Sequence, residues 1–121
     1  NDLSEIFFDC CVGKLNEKKI RLSNKKSICI VLCSKGYPED YKKDIEISKL
    51  NKLSLKNNEF IYHAGTKLKD NKILNSGGRV LNFVSTSNNL KKSRDDLIKL
   101  IKRLDWENGF FRKDIAYKVI D

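Results

Sequence analysis

The sequence predicts an α+β domain, a mostly antiparallel sheet running from Ser27 to Ser85 with a further strand near Tyr117, covered by one long helix from about Asn88 to Leu104. Three observations carry this expectation. Ser27 to Cys33 is an almost unbroken apolar run of β-branched residues and cysteine, the signature of a buried strand. Asp70-Asn71, a pair that tolerates positive φ, separates two short segments as a two-residue hairpin turn would, and the alternating run Arg79 to Ser85 follows. Finally, Leu90, Leu97, Ile98, Ile101 and Leu104 recur at helical spacing, while Lys91, Lys92, Asp95, Lys99 and Lys102 lie mostly elsewhere.

Taken in order, Asp2-Leu3-Ser4-Glu5 has capping-box spacing with a carboxylate as the cap, and leads into Leu3, Ile6, Phe7 and Cys10, so a short helix ending near Gly13 is expected. Lys14 to Lys26 is polar and basic and reads as a connector that holds the domain boundary, giving segments 1–26 and 27–121. Gly36-Tyr37-Pro38 ends the first strand with a turn, Ile45 and Ile47 alternate as a short half-buried strand, and Leu50 to Glu59 is irregular. Phe60 to His63 is apolar and begins the antiparallel meander. Ser87 or Asn88 is placed to cap the long helix. Asn108-Gly109 then turns the chain, with Trp106 expected under the turn and Tyr117, Val119 and Ile120 in the closing strand.

A chain of 121 residues holds one modest core. It contains no methionine, and its amino-terminal asparagine is not the residue ordinary initiator removal leaves, so a piece of something longer is expected. No apolar run is long enough to span a bilayer and no signal-peptide pattern opens the chain, which points to a cytoplasmic parent without membrane partners. Cys10, Cys11, Cys29 and Cys33 sit in apolar segments without paired metal spacing and are expected to be reduced, buried and metal-free. The formal charge of +9 invites a nucleic-acid reading. Against it, 20 of the 25 basic residues are lysine and they are strewn along the chain rather than gathered in one stripe with aromatics.

No nucleophile with a base, carboxylate pair or metal-ligand set is legible, so no catalytic or metal-binding residue is assigned. Arg112 and Asp114, two apart, suit a side-chain pair. The candidate site is the stretch from His63 to Leu81, where Gly65 and Gly77-Gly78 mark turns and Arg79 stands at the threshold of a strand. Glycines without a Cβ can expose amide N–H groups to an anion, with Arg79 beside them. His63, Gly77, Gly78 and Arg79 are therefore the candidate substrate-binding residues. A plain turn, with Arg79 paired to a carboxylate across the sheet and His63 as a structural hydrogen-bonding residue, is the alternative.

Four segments in register match a family. Ser34-Lys35-Gly36-Tyr37-Pro38, His63-Ala64-Gly65-Thr66-Lys67, Gly77-Gly78-Arg79-Val80-Leu81 and Phe111-Arg112-Lys113-Asp114-Ile115 resemble the C-terminal domain of phosphoribosylamine–glycine ligase (glycinamide ribonucleotide synthetase). The resemblance implies an ATP-grasp ligase of purine biosynthesis in which ATP and Mg or Mn are held by other domains. There glycine is activated as an acyl phosphate and attacked by the amine of 5-phosphoribosylamine. The family's metal-binding Glu and Asn lie upstream of the position matching Asn1. The resemblance thus implies that 1–26 ends the ATP-grasp region, that 27–121 is the C-terminal domain walling the active site, and that the chain alone binds no cofactor and is inactive. Its partners would be the remaining domains of a monomeric enzyme. Lys35, Asn75-Ser76, Ser87 and Ala116 depart from the family pattern, Lys35, Ser87 and Ala116 where glycine is usual. A basic nucleic-acid-binding module and a structural docking module remain the rival readings.

Overall fold

The computed structural model describes residues 1–17 and 20–120; Lys18 and Lys19 of the expected connector, and Asp121, lie outside the described residues. Eight elements follow one another: α1 (Leu3–Cys11), β1 (Lys26–Ser34), β2 (Glu59–His63), β3 (Thr66–Lys69), β4 (Lys72–Asn75), β5 (Arg79–Ser87), α2 (Leu90–Leu104) and β6 (Gly109–Phe110). The four strands of the main sheet lie in the order β2-β5-β1-β6, and every pairing is antiparallel. β3 and β4 form a separate hairpin across Asp70 and Asn71, both at positive φ (49° and 58°), as a primed two-residue turn requires. The α+β architecture expected from the sequence is the one observed.

One sheet face is packed under α2. Ile28, Ile30 and Leu32 of β1 alternate inward opposite Ser85, Phe83 and Leu81 of β5, and meet Leu97, Leu100, Ile101 and Leu104 of the helix. Asn89, rather than Ser87 or Asn88, caps α2: its Oδ1 accepts from the Lys92 N–H at 2.9 Å. Ser87 instead folds its hydroxyl back, accepting from the Asn89 N–H at 3.0 Å and sharing a 2.7 Å bond with the buried Ser93. The Ser87 hydroxyl is thereby given partners. Asp105 closes the helix in the left-handed region.

Three expectations need correction. The strand expected at Ile45 and Ile47 is a single bridge, Glu46 opposite Leu74, with Ile47 buried in the core. The closing strand expected near Tyr117 is absent among the described residues. β1 accepts only Gly109 and Phe110 on its outer edge, and Tyr117–Val119 is a 3-10 turn. Ala116, at φ 64°, turns the chain out of extended geometry directly before Tyr117, and Arg94 of α2 holds the segment ahead of it, donating Nε to the Ile115 carbonyl at 2.8 Å and its terminal nitrogen to the Lys113 carbonyl. Lastly, the thiols are not buried: Cys10, Cys11 and Cys29 are exposed and Cys33 is half-buried.

Ala116 enters the final turn at φ 64°, a conformation that costs an L-residue with a Cβ roughly 1–2 kcal/mol. Ala116→Gly is expected to stabilise the fold by about 0.5–1 kcal/mol after the glycine's larger unfolded-state entropy is deducted. A higher urea midpoint at unchanged slope checks this; an unchanged or lower midpoint would refute it.

Candidate functional site

The site is a corner where three chain segments cross at one end of the main sheet. Gly65 lies against Gly77: an added Cβ on Gly65 would stand 2.7 Å from the Gly77 Cα and 2.5 Å from the Arg79 carbonyl oxygen. Only glycine permits that approach. The crossing is tied by the Gly65 N–H donating to the Arg79 carbonyl (2.8 Å), and by the Ser76 and Gly77 N–H groups donating to the Gly65 carbonyl (2.8 and 3.2 Å). Gly78 is covered by the Tyr37 ring, which occupies the space a Cβ would need. The Tyr37-Pro38 peptide of that covering turn is cis.

A buried polar network lies beneath the corner. Asn75 is wholly buried, and its Oδ1 accepts from the Ile45 N–H (2.7 Å) while its Nδ2 donates to the Lys42 carbonyl (2.7 Å) and to the Ser34 hydroxyl (2.9 Å). Ser34 in turn donates its hydroxyl to the Gly77 carbonyl at 2.9 Å, and its N–H to the Gly78 carbonyl at 2.7 Å. Fully satisfied networks of this kind hold one arrangement. Sequence reasoning missed Asn75 and Ser34 as organisers, since their partners are far apart in the chain; the departure at Asn75 was the available signal.

Arg79 owes its direction to a β-bulge. Leu81 pairs with Leu32, yet Arg79 pairs with Cys33, so Val80 is an extra residue; Val80 and Leu81 are both fully buried and Arg79 is exposed. Without the bulge, strict alternation would give Arg79 the inward direction of Leu81. With it, Arg79 stands on the sheet face away from α2, beside Cys33, whose thiol burial pushes up in pKa and the Arg79 charge draws back. Among the described residues Arg79 has no carboxylate partner.

Of the other expected site residues, Gly77 and Gly78 adjoin Arg79, but the Gly77 N–H, expected to face an anion, is instead donated to the Gly65 carbonyl, and the Tyr37 ring covers Gly78. His63 pairs with Leu81, on the opposite face by alternation, and its Nδ1 shares a 2.8 Å hydrogen bond with the Thr66 hydroxyl. Arg112 and Asp114 form the anticipated pair through two hydrogen bonds (3.1 and 2.7 Å), and the guanidinium holds the Asp114 carboxyl below its usual range. Arg112 borders an apolar groove of about 360 Å³ with Cys33, Tyr37, Pro38, Phe110 and Phe111. Trp106 packs beneath the Gly109 turn and donates its indole N–H to the Glu46 carbonyl at 3.0 Å. Lysines are spread over the surface, several paired with carboxylates, as in Lys49–Asp105, Lys56–Asp96 and Lys72–Glu46. No helix of the described residues is long and apolar enough to cross a membrane.

The four motif segments thus meet around one corner and the adjoining groove, and comparison with known proteins gives them a family. A family model described as phosphoribosylglycinamide synthetase, C domain, matches residues 27–118. The phosphoribosylamine–glycine ligase of Caldanaerobacter subterraneus subsp. tengcongensis is 40% identical over 95% of this chain and 27% of its own length. That of Haemophilus influenzae is 35% identical over the whole chain and 28% of its own length. A bifunctional purine biosynthetic protein of Dictyostelium discoideum is 36% identical over 99% of the chain and 15% of its own length. In three dimensions the chain is similar to the crystal structure of the Thermotoga maritima phosphoribosylamine–glycine ligase, with a TM-score of 0.68 and 26% identity, covering 94% of this chain and 28% of that one. The chain spans little more than a quarter of the length of the ligases it matches, and it belongs to the family of phosphoribosylglycinamide synthetase C domains.

Proposed function

We propose that this chain works as the C-terminal domain of a longer ATP-dependent ligase that joins glycine to 5-phosphoribosylamine to give glycinamide ribonucleotide in purine biosynthesis. The observation that carries the reading is the family match over residues 27–118, three of whose motif segments meet at the corner around Arg79 while the fourth, Phe111 to Ile115, lines the adjoining groove. In this reading the corner is one wall of the active site. Arg79 offers its planar fork to an anionic group of the substrates, a phosphate or a carboxylate. Gly77 and Gly78 bring the backbone close behind it, and His63, hydrogen-bonded to Thr66, frames the neighbouring strand end.

The remaining parts of the reaction are assigned to other domains of the same polypeptide, which would hold ATP and Mg or Mn. Among the described residues no three His, Cys, Asp or Glu side chains come together as a metal site. Segment 1–26 is read as the end of the ATP-grasp region. Two observations support that boundary: α1 buries none of its residues, and the family match begins at residue 27. The assembled enzyme is read as a cytoplasmic monomer.

The test compares two proteins. Supplied with ATP, glycine, 5-phosphoribosylamine and Mg, the full-length ligase is expected to form glycinamide ribonucleotide, ADP and phosphate, and the 121-residue chain alone to form none. Turnover by the isolated chain, or an inactive full-length protein, would overturn the assignment.

A further inference from the structure

We infer that the sheet face away from α2 is the surface on which the rest of the same ligase polypeptide docks, an inference that rests on the ligase reading above. The strand registers set three rows across this face. Phe60, Val84 and Cys29 form one row, Tyr62, Asn82 and Val31 the next, and Arg79, Cys33 and Phe110 the third, beside the bulge. An antiparallel sheet that keeps one face in water alternates apolar-in with polar-out. This sheet does not. In these three rows the outward positions are aromatic, aliphatic or thiol-bearing apart from Asn82 and Arg79, with the polar pair Ser27 and Thr86 in the row beyond, in a chain that is 34% charged and uses lysine freely elsewhere. Tyr62 is nevertheless 55% exposed, Phe60 40% and Phe110 39%. Phe60 and Tyr62 stack on each other with ring centroids 6.3 Å apart, and the apolar groove continues the surface past Cys33 towards Phe111 and Ile115.

A contiguous apolar surface of this kind marks an interaction site. Its occupant follows from length and charge. The ligases that this chain matches extend over nearly four times its span, so most of their polypeptide lies outside the region described. A partner held on the same chain needs no electrostatic recruitment, and the face offers almost none. Arg79 is the one cation in the three rows, whereas a nucleic-acid surface would gather many around its aromatics. The docked polypeptide presents an apolar surface to Phe60, Tyr62, Val31 and Val84, and leaves Arg79 at the edge, where the substrate wall begins.

Cys29, exposed in the middle of the β1 edge of this face, reports directly on the cover. In the full-length ligase, maleimide labelling of Cys29, followed by peptide mass spectrometry, is compared with labelling of a thiol introduced by Lys102→Cys on the exposed side of α2. Cys29 is expected to react more slowly by about tenfold or more, equally at low and high protein concentration. A smaller difference, or protection that appears only as the concentration rises, would overturn the inference, the latter because a second copy would then be the cover. In parallel, Val31→Lys is expected to lower the melting temperature of the full-length ligase, because a charge would enter a buried interface. In the 121-residue chain, where the position is only half-buried and a lysine can carry its charge out to water, the effect should be smaller. Equal effects in both proteins would also overturn the inference. Ligase turnover measured on the same samples separates the two readings. An active enzyme with a freely reactive Cys29 removes the docking surface alone. An inactive one with a protected Cys29 removes the assigned reaction alone.

Discussion

Arg79→Lys in the full-length ligase is expected to lower kcat/KM by roughly 10- to 100-fold while leaving the melting temperature almost unchanged. The size follows from what the substitution removes. Hydrogen bonds to a charged group are worth about 1.5–3 kcal/mol, and lysine keeps the charge but loses the second, coplanar donor that grips a phosphate or carboxylate. That stability should hold follows from the surroundings. The side chain is exposed, no carboxylate among the described residues pairs with it, and it stands at the edge of its sheet face, which the docked polypeptide leaves uncovered. Nothing buried is orphaned when the fork is lost. A fall in kcat/KM carried by KM for one substrate would identify which anion Arg79 holds, since uniform binding is lost without a change in kcat. A variant that melts earlier while its kinetics stay intact would make Arg79 structural.

What could be read from the sequence, and what could not, divides along the range of the contacts involved. β1, the β3–β4 hairpin, β5 and α2 were legible because each rests on local signals: a β-branched run, an Asp-Asn turn, an approximate alternation, a stripe at helical spacing. Asp2 caps α1 as its spacing implied, accepting from the Ser4 N–H at 2.8 Å. The closing strand was misplaced because the pattern from Phe110 to Ile120 is strand-like, whereas Ala116 takes a positive φ just before Tyr117 and Arg94 reaches across from α2 to the carbonyls of Lys113 and Ile115, neither of which the local pattern encodes. The cysteines were misjudged for a related reason. An apolar run such as Ser27 to Cys33 says that both faces of the strand want cover, and says nothing of whether the cover lies within these residues. α2 covers Ile28, Ile30 and Leu32, but Cys29 stays exposed and Val31 and Cys33 only half-buried.

At the site, the need for glycine was legible and its cause was not. Gly-Gly before a strand signals a turn or an anion corner, but the close approach that actually requires glycine is between Gly65 and Gly77, twelve residues apart in the sequence. Likewise, the outward direction of Arg79 depends on a bulge between β1 and β5, a feature of pairing that no single segment encodes.

Gly65→Ala carries the largest expected cost to the fold, about 1–3 kcal/mol, because the new methyl group has nowhere to go. Its three nearest neighbours would be the Arg79 carbonyl oxygen at 2.5 Å, the Gly77 Cα at 2.7 Å and the Gly77 nitrogen at 2.9 Å, all backbone. Backbone cannot rotate aside as a side chain would. Relief requires the Gly65 and Gly77 segments to part, which breaks the bonds from the Ser76 and Gly77 N–H groups to the Gly65 carbonyl and pulls on the Ser34 and Asn75 network below. The contrast is Gly13, where an added Cβ meets nothing within 4 Å and only the positive φ of 73° resists substitution. Gly13→Ala should therefore cost less than Gly65→Ala in urea unfolding. In the full-length ligase, Gly65→Ala should lower stability and kcat/KM together, because the Arg79 backbone shares the strained crossing, whereas Arg79→Lys lowers kcat/KM alone. A Gly65→Ala protein with an unchanged urea midpoint would mean that the two glycine segments do not meet, and that the corner around Arg79 is built differently.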